Sequence, residues 1–441
     1  MDGACALIED AFIVKDMFDG LVCLEGAPRA VGRVFGRVNG EDIAREMGEF
    51  YRTLEGVEKI RQRELIEAGK RYRALVRRYA PHWIEEAEGV AEAAGVDAER
   101  YLTYQGAKYR GINRPECFSY LSEPRGNAVK ATFLHKNRDN VARPQCAYVK
   151  GIRVPGRPVY RFMANGDTPD MGLMMALNEK GLAIVADQGH PDPHPRQVGM
   201  MNTDIMRIVV EQAGDVREAM EVLRGIHAER AYAGGKIATY WMLADRHGRG
   251  LRVYQFHEEL VTQESIAGIL VMRDEDARGK LVKKTLLRER GRVTSGLMNW
   301  LSRQQPILAA SNVSAYTAVI PPRQTGLFAY AWFAVNSAGK VLYVPLYMGV
   351  KATPRPLLDG TLFRLSNRHP YGANLFAGCK ERGVDLEEFE REMEEDRANM
   401  EVVARQVLRR EGEDAARQVL TDGCLRFARR VERVLRLLCR E

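Results

Sequence analysis

The chain has 441 residues, of which 45% are hydrophobic and 28% are charged, the balance of a globular protein that can bury a large core. The net charge is +7, but 66 basic residues are interleaved with 59 acidic ones, so nucleic acid is not expected as a partner. No run approaches the roughly 18 apolar residues of a transmembrane helix, and no membrane association is expected.

The seven cysteines are scattered and show no CxxC spacing, which argues against a zinc knuckle or a thioredoxin motif. An odd, scattered set suits a reducing cytoplasm. The start of the chain, Met1-Asp2-Gly3-Ala4, lacks the basic and apolar regions of a signal peptide. We therefore expect a cytoplasmic protein.

The first part of the chain is predicted to be largely helical. Residues 1–38 read as short strands and turns, and apolar residues then recur at helical spacing from about Glu41 to Tyr104. Pro81 interrupts this pattern, a second helical stretch follows from His82 to Val96, and Asp97 starts another short helix. Together with the turn-rich approach to residue 117, it defines an expected N-terminal segment of residues 1–116.

A β-hairpin is predicted next. The run from Cys117 to Leu121 and the run from Val129 to Leu134 are separated by a turn rich in Gly and Pro. A polar cluster that ends at Asp139 follows the second run. Because a hairpin brings its far ends together, Cys117 and Asp139 should lie side by side.

This pairing suggests nucleophilic chemistry at Cys117. If the bond between Glu116 and Cys117 were cut, the new α-amine would have an unperturbed pKa of about 7.7–8.0 and could accept the thiol proton without a histidine. Lys136 or Arg138 could stabilise the thiolate, and Asp139 could orient the amine or the substrate. The alternative is a small buried cysteine without a chemical role.

Strands dominate the remainder up to about residue 347, with one helical region from Asn202 to Ile226. The strand candidates are 147–154, 158–163, 182–186, 239–244, 251–256, 269–272, 331–336 and 341–347. Two sheets packed face to face with helices outside would explain this order, an α+β core over residues 117–360. Residues 361–441 should add a surface or dimerisation element with two long helices, Asp385 to about Arg410 and Glu413 to Leu438, so a homo-oligomer is one expectation.

The run Lys136-Asn137-Arg138-Asp139 behind Cys117 resembles the cysteine N-terminal-nucleophile (Ntn) hydrolases. In these proteins a Cys opens the first strand and a GRN-x-D or KN-x-D signature closes the second. The resemblance implies a four-layer αββα sandwich, and it implies a reaction that needs neither a metal nor an organic cofactor.

Two branches of that superfamily share further features with the chain. The helical run from Glu86 to Val96 is similar to the lead-in of the acyl-CoA:6-aminopenicillanate acyltransferase family, which stays bound after self-cleavage. Lys136, where other branches carry Arg, and the run from Tyr343 to Val350 resemble the dipeptidase-like branch. Glu116 departs from the Gly that relatives commonly have before the nucleophile, which predicts slow self-cleavage.

The resemblance also implies roles for individual residues. Cys117 would be the nucleophile, Asp139 would hold its freed amine, and Lys136 would assist. Acyl transfer from an amide passes through an oxyanion that needs hydrogen-bond donors. Asn312, in a Ser-Asn pair, and Gln188, where relatives often carry Asn, are the candidate donors; for Asn312 the alternative is a loop residue bonded to its own backbone.

The sequence leaves three functions open. The first is a self-processing amidohydrolase or acyltransferase that acts on a small-molecule amide, a peptide or an acyl thioester. The second is a dipeptidase-like cysteine peptidase, and the third is an uncleaved, inactive binding or scaffold protein with the same fold. His190 and His194 lie in a Pro-rich loop without a third ligand, so no metal is expected.

Overall fold

The computed structural model describes residues 20–56, 58–108, 117–196, 198–265 and 268–440. The predicted strands and turns of residues 1–19 and the predicted turn before Cys117, with Glu116, lie outside these described residues. Within them, no helix is both long and apolar enough to cross a membrane.

The strands of the described residues are β1 Leu21–Val22, β2 Glu25–Gly26, β3 Phe118–Ser122, β4 Thr132–Asp139, β5 Gln145–Ile152, β6 Phe162–Asp167, β7 Met175–Asn178, β8 Ala183–Arg196, β9 Gly235–Ala244, β10 Gly250–Gln255, β11 Leu260–Glu264, β12 Ile269–Val271, β13 Asn312–Ile320, β14 Tyr330–Ala334, β15 Val344–Tyr347 and β16 Thr353–Pro354. The helices are α1 Pro28–Glu55, α2 Lys59–Tyr79, α3 His82–Ala94, α4 Ala98–Ala107, α5 Asn202–Gln212, α6 Val216–Ala228, α7 Ala277–Arg288, α8 Ser295–Ser302, α9 Thr325–Phe328, α10 Arg355–Leu358, α11 Thr361–Ser366, α12 Leu375–Glu381, α13 Leu386–Glu411 and α14 Glu413–Leu438.

Two mostly antiparallel sheets form the centre of the fold. The large sheet has eight strands in the order β11-β10-β9-β8-β7-β6-β5-β2, and the small sheet has six in the order β12-β3-β4-β13-β14-β15. Strands β3 and β4 of the small sheet contact β8 and β9 of the large sheet, so the two sheets pack face to face. Apolar side chains from both sheets, among them Leu134, Met163, Val185 and Met242, form one continuous core between them.

Helices cover both outer faces. Helix α5 packs on β7 and β8 of the large sheet, and its buried Ile205 and Val209 belong to the same apolar cluster as Ile184 and Leu243 of the sheet. Helices α7 and α8 cover β12, β13 and β4 of the small sheet, and α14 lies against β15. The order helix, sheet, sheet, helix confirms the expected α+β class and the αββα sandwich.

The N-terminal helices are part of the same body. Strand β2 pairs in parallel with β5 at the edge of the large sheet, and β1 pairs with β16. Phe35 of α1 packs edge-on against Tyr148 of β5, with ring centroids 5.7 Å apart. The first part of the chain therefore completes one face of the large sheet.

A buried ionic cluster connects these helices to the sheet. Glu86 of α3 accepts a hydrogen bond from Lys150 Nζ of β5 at 2.7 Å and pairs with the Arg207 guanidinium of α5. Arg207 Nε also lies 2.8 Å from Glu211 Oε1, which keeps both sides of the cluster paired. Burial alone would raise the pKa of Glu86, but Arg207 and Lys150 outweigh it and lower the pKa to about 2.

The prediction of strands and turns over residues 28–38 is wrong, because α1 begins at Pro28. Proline is favoured in the first turn of a helix, whereas Gly32 and Gly36 lower the helical signal of the sequence. These glycines allow α1 to touch α3 directly: a Cβ at Gly32 would lie 2.1 Å from the carbonyl oxygen of Glu86. Close packing between the two helices thus outweighs the weak local propensity.

Two other expectations concern helices after the hairpin. The region predicted as helical from Asn202 to Ile226 forms two helices, α5 and α6, which are separated at residues 213–215. The two long C-terminal helices are confirmed, with α13 ending at Glu411 and α14 starting at Glu413. Gly412 stands between them with a φ of 94°, a conformation that favours glycine.

We expect Glu86→Gln to destabilise the protein strongly. The change leaves the buried Lys150 ammonium without its carboxylate, and breaking a buried ion pair from one side costs about 3–5 kcal/mol in free energy of unfolding. Urea denaturation at pH 7 would measure this loss.

The stabilisation by Glu86 should depend on pH, and the same helix offers a control variant. Because the pKa of Glu86 falls from 4.5 to about 2 on folding, its stabilisation is complete above about pH 4.5 and is lost as the pH falls toward 2. Glu92→Gln, on the exposed side of the same helix, should change little. Equal losses for both variants would contradict the role of the buried cluster.

Candidate active site

The hairpin brings Cys117 to the end of β4. Strands β3 and β4 pair antiparallel, with Phe118 opposite Asn137 and Ser119 opposite Lys136. The Cys117 thiol donates to the backbone carbonyl of Asp139, with 3.6 Å between Sγ and O. Cys117 and Asp139 therefore lie side by side, as the hairpin predicts.

Alternation along the two strands creates a polar stripe between the sheets. Ser119 and Lys136, which are opposite each other, both reach β8: Ser119 Oγ donates to Asp187 Oδ1 at 2.7 Å, and Lys136 Nζ donates to the carbonyl of Ala186. Arg138, two residues further along β4, pairs with Asp167 of β6. Because side chains two residues apart share a face of a strand, these polar groups all face the large sheet.

A pocket opens beside this stripe. It contains about 680 Å³ of empty space, counted up to its open mouth, and Cys117, Lys136 and Gln188 belong to its polar lining. Its apolar lining comes from β9 of the large sheet, from the segment before β7 and from the start of α5, and it includes Leu173, Met174, Met201, Met206, Ile237 and Ala238. Cys117 as a residue is 8% exposed, and it lines the wall of this partly apolar pocket.

The environment of Cys117 contains charges of both signs. Burial raises the pKa of the thiol, and the carboxylates of Asp187 and Asp139 act in the same direction. The Lys136 ammonium and the hydrogen bond to the Asp139 carbonyl lower this pKa in part. At neutral pH the thiol is therefore mainly protonated, and a base is needed to activate it.

The Asp139 carboxylate has two partners. Its Oδ1 accepts from Asn312 Nδ2 at 3.1 Å, and its Oδ2 lies 3.0 Å from Nη1 of Arg278 in α7. Burial raises the pKa of Asp139 to about 6, against the opposing effects of Asn312 and Arg278. This carboxyl therefore titrates near pH 6.

Asn312 lies behind Asp139 and is not part of the described lining of the pocket. It opens β13, which pairs with β4, and it is a strand residue, not a loop residue. Its Nδ2 also lies 3.1 Å from the carbonyl of Arg138, while its Oδ1 accepts from the backbone N–H of Ala338 at 2.9 Å. These contacts hold the side-chain amide against the strand.

Gln188, in contrast, faces the pocket. It lies on β8 opposite Thr239 of β9 and is half-buried. Among the described residues, its side-chain amide has no hydrogen-bond partner. Of the two candidate oxyanion donors, Gln188 is therefore the one whose N–H groups remain available.

Sequence reasoning missed four residues of this site. Asp187 and Ser119 belong to the polar stripe, Arg273 donates to the backbone carbonyl of Cys117, and Arg278 contacts Asp139. Ser119 follows Cys117 by two residues, the spacing of one strand face, so that signal was available. The arginines come from a loop and from α7, whose positions only the fold defines.

The histidines do not gather into a metal site. The His190 ring bonds to the Tyr240 hydroxyl, and the backbone N–H of His194 donates to Asp192 Oδ1 at 2.8 Å. Nowhere in the part of the chain that the structure describes do three or more His, Cys, Asp or Glu side chains come together as metal ligands.

Comparison with known proteins yields structural neighbours only. Neither a family model nor a curated protein matches the chain. A conjugated bile acid hydrolase mutant from Clostridium perfringens is 11% identical, with a TM-score of 0.37 over 53% of this chain and 92% of that one. A Caenorhabditis elegans N-acylethanolamine-hydrolyzing acid amidase ortholog is 12% identical, with a TM-score of 0.36 over 47% and 93%.

A penicillin V acylase from Agrobacterium tumefaciens is 12% identical, with a TM-score of 0.34 over 52% of this chain and 86% of that one. These neighbours are members of the Ntn hydrolase superfamily, which the motif behind Cys117 also resembles. At such scores the similarity carries no detail of the site. The αββα architecture rests on the sheets and helices of this chain itself.

We expect Asp139→Asn to remove a pH-dependent component of stability. The pKa of Asp139 rises from 3.8 to about 6 on folding, so its stabilisation is complete below about pH 3.8 and is lost as the pH rises through about 6. The difference in free energy of unfolding between wild type and variant should change by on the order of 2–3 kcal/mol over that interval. Urea denaturation at a series of pH values measures it, and a constant difference would contradict the assignment.

Proposed function

We propose that the protein is an amide-bond hydrolase or acyltransferase in which Cys117 is the nucleophile. The observation that carries the proposal is the thiol at the wall of a pocket between two sheets, beside a buried ammonium and near an unengaged amide donor. The neighbours named above include an amidase and an acylase, and the motif at Lys136 to Asp139 agrees with that class.

The proposed reaction begins with processing of the chain itself. The Cys117 thiol adds to the carbonyl carbon of Glu116, the C–N bond breaks, and the nitrogen becomes the α-amine of Cys117. Water then hydrolyses the resulting thioester, which releases the thiol and leaves a carboxylate on Glu116. The acidic Glu116 makes the first step slow, because a negative side chain beside the carbonyl disfavours a second anion there.

The freed amine would then act as the general base. It takes the thiol proton, and the thiolate adds to the substrate carbonyl to give a tetrahedral oxyanion. The C–N bond of the substrate breaks as the ammonium of Cys117 returns its proton to the leaving amine. Water, or an acceptor amine, resolves the thioester and regenerates the thiol.

Contacts in the site suggest a separate role in the reaction for each neighbouring residue. Lys136 offsets the charge of the thiolate, and Gln188 donates its amide hydrogens to the oxyanion. Asp139 holds the amine of Cys117. Because Asn312 donates to Asp139 and to backbone carbonyls, we assign it to orienting Asp139 and not to the oxyanion.

After cleavage, the N-terminal segment of residues 1–116 would stay bound to the catalytic core of residues 117–360. Its strand β2 pairs with β5, and its Glu86 is buried between Lys150 and Arg207. No covalent bond is needed to keep these contacts. The helical extension of residues 361–441 packs beside the same core through α14.

We expect the wild-type chain to separate into residues 1–116 and 117–441 during incubation at neutral pH, as measured by intact mass. Cys117→Ala should stay whole, because it lacks the attacking thiol. Cys146→Ala, which removes another buried cysteine, is the matched control and should still be cleaved.

If wild type and Cys117→Ala both stay full length, the Ntn mechanism is wrong. The third function, an uncleaved binding or scaffold protein, then becomes the better account. For cleaved protein, a panel of acyl amides, acyl-CoA thioesters and dipeptides separates the proposed activity from that of a dipeptidase-like enzyme.

We expect Gln188→Leu to lower kcat by about 10²- to 10³-fold on an N-acyl p-nitroanilide, the usual loss when one oxyanion donor is removed. Gln188→Asn retains the donor on a shorter arm and should lose less. Equal losses for the two variants, or a change confined to KM, would show that Gln188 does not stabilise the oxyanion.

A further inference from the structure

Asp187 is a buried carboxylate of the site to which neither the motif nor the proposed mechanism gives a role. It lies on β8 between Ala186 and Gln188, and its side chain is fully buried. Its Oδ1 accepts from Ser119 Oγ at 2.7 Å and stands 3.6 Å from Lys136 Nζ. Its Oδ2 has no hydrogen-bond partner within the described ranges.

Lys136 needs a negative charge at this place. Its side chain is 3% exposed, and a buried ammonium without a counter-charge carries a large desolvation cost. The other nearby acids are engaged elsewhere: Asp167 pairs with Arg138, and Asp139 pairs with Arg278. Asp187 is the carboxylate that forms the ion pair with Lys136.

The arrangement is not explained by stability. A buried carboxylate oxygen without a donor carries a desolvation cost, and a buried ion pair stabilises a fold weakly at best. An apolar pair of similar size would fill the same space without this cost. A fixed positive charge at the pocket wall beside Cys117 therefore explains the Asp187–Lys136 pair better than a contribution to stability does.

We propose that Asp187 is a positioning residue, the counter-charge that fixes the Lys136 ammonium next to the Cys117 thiol. Ser119 donates to the same carboxylate oxygen that faces Lys136, so that Ser119, Asp187 and Lys136 form one chain of contacts between β3, β8 and β4. The use of this charge in catalysis rests on the proposed function, whereas the ion pair and its effect on the thiol do not.

Removing Asp187 can act on the thiol in two opposite ways. If Asp187 is only a nearby negative charge, its loss makes the thiolate easier to form. If it is the counter-ion of Lys136, its loss removes the fixed positive charge from beside the thiol, and the thiolate becomes harder to form. Asp139 and Arg278, which also face Cys117 from β4 and α7, and Arg273 on its backbone carbonyl, stay unchanged in both cases.

The test is the pH dependence of alkylation at Cys117 in the full chain. Iodoacetamide reacts as the thiolate displaces iodide, and peptide mass separates Cys117 from the other cysteines. We expect Asp187→Asn to raise the apparent pKa of this reaction by about one unit or more. Lys136→Met should raise it in the same way. A downward shift, or no shift, would overturn the proposal.

A double variant isolates the pair. In the Lys136→Met background, Asp187→Asn should give no further upward shift, because the charge that Asp187 holds is already absent. A further upward shift would overturn the proposal. If Asp187→Asn alone does not fold, Lys136→Arg is compared with Lys136→Arg/Asp187→Asn instead, and a downward shift of more than half a unit would overturn the proposal.

Two further variants distinguish the position of the Asp187 carboxylate from the charge of the side chain at residue 136. Ser119→Ala keeps both charges and should shift the profile by less than Asp187→Asn, and an equal or larger shift would contradict the assignment. Lys136→Arg, which stays charged when buried, should reduce the effect of Asp187→Asn to less than half a unit. Because alkylation does not require self-cleavage, an uncut chain with the expected shifts would reject the proposed function but support the role of Asp187.

Discussion

The antiparallel pairing of β3 with β4, packed against β8, is the constraint on which the candidate site depends. It places Ser119 opposite Lys136 and turns both toward the large sheet, with Cys117 at the same edge. A slip of one residue would turn every side chain of β3 to the other face. The thiol, the ammonium and the pocket are thus brought together by strand register.

Burying charged side chains between the two sheets costs free energy, because these groups lose their contact with water. Charged side chains between two sheets need partners of opposite charge, as Arg138 has in Asp167 and Lys136 has in Asp187. His135, on the other face of β4, is held neutral, because burial lowers its pKa to about 3. The same logic applies to Glu86 between Lys150 and Arg207, where the N-terminal helices join the large sheet.

The sequence predicts the parts of this protein that local pattern determines. The hairpin from Cys117 to Asp139 and the two long C-terminal helices follow from alternation, turn residues and helical spacing. Helix α1 does not, because its glycines serve contact with α3 and weaken the local signal. The contacts of Asp187 with Ser119 and of Asn312 with Asp139 also cannot be predicted from the sequence, because they form where strands distant in sequence become neighbours.

The central claim is that Cys117 becomes an N-terminal residue with both a free thiol and a free amine. An aldehyde probe tests this directly, because only a 1,2-aminothiol condenses with it to a thiazolidine with loss of water. The account predicts one thiazolidine per chain, on the peptide that begins at Cys117, after incubation of the full-length protein at neutral pH. A chain that stays in one piece and forms no thiazolidine would contradict it.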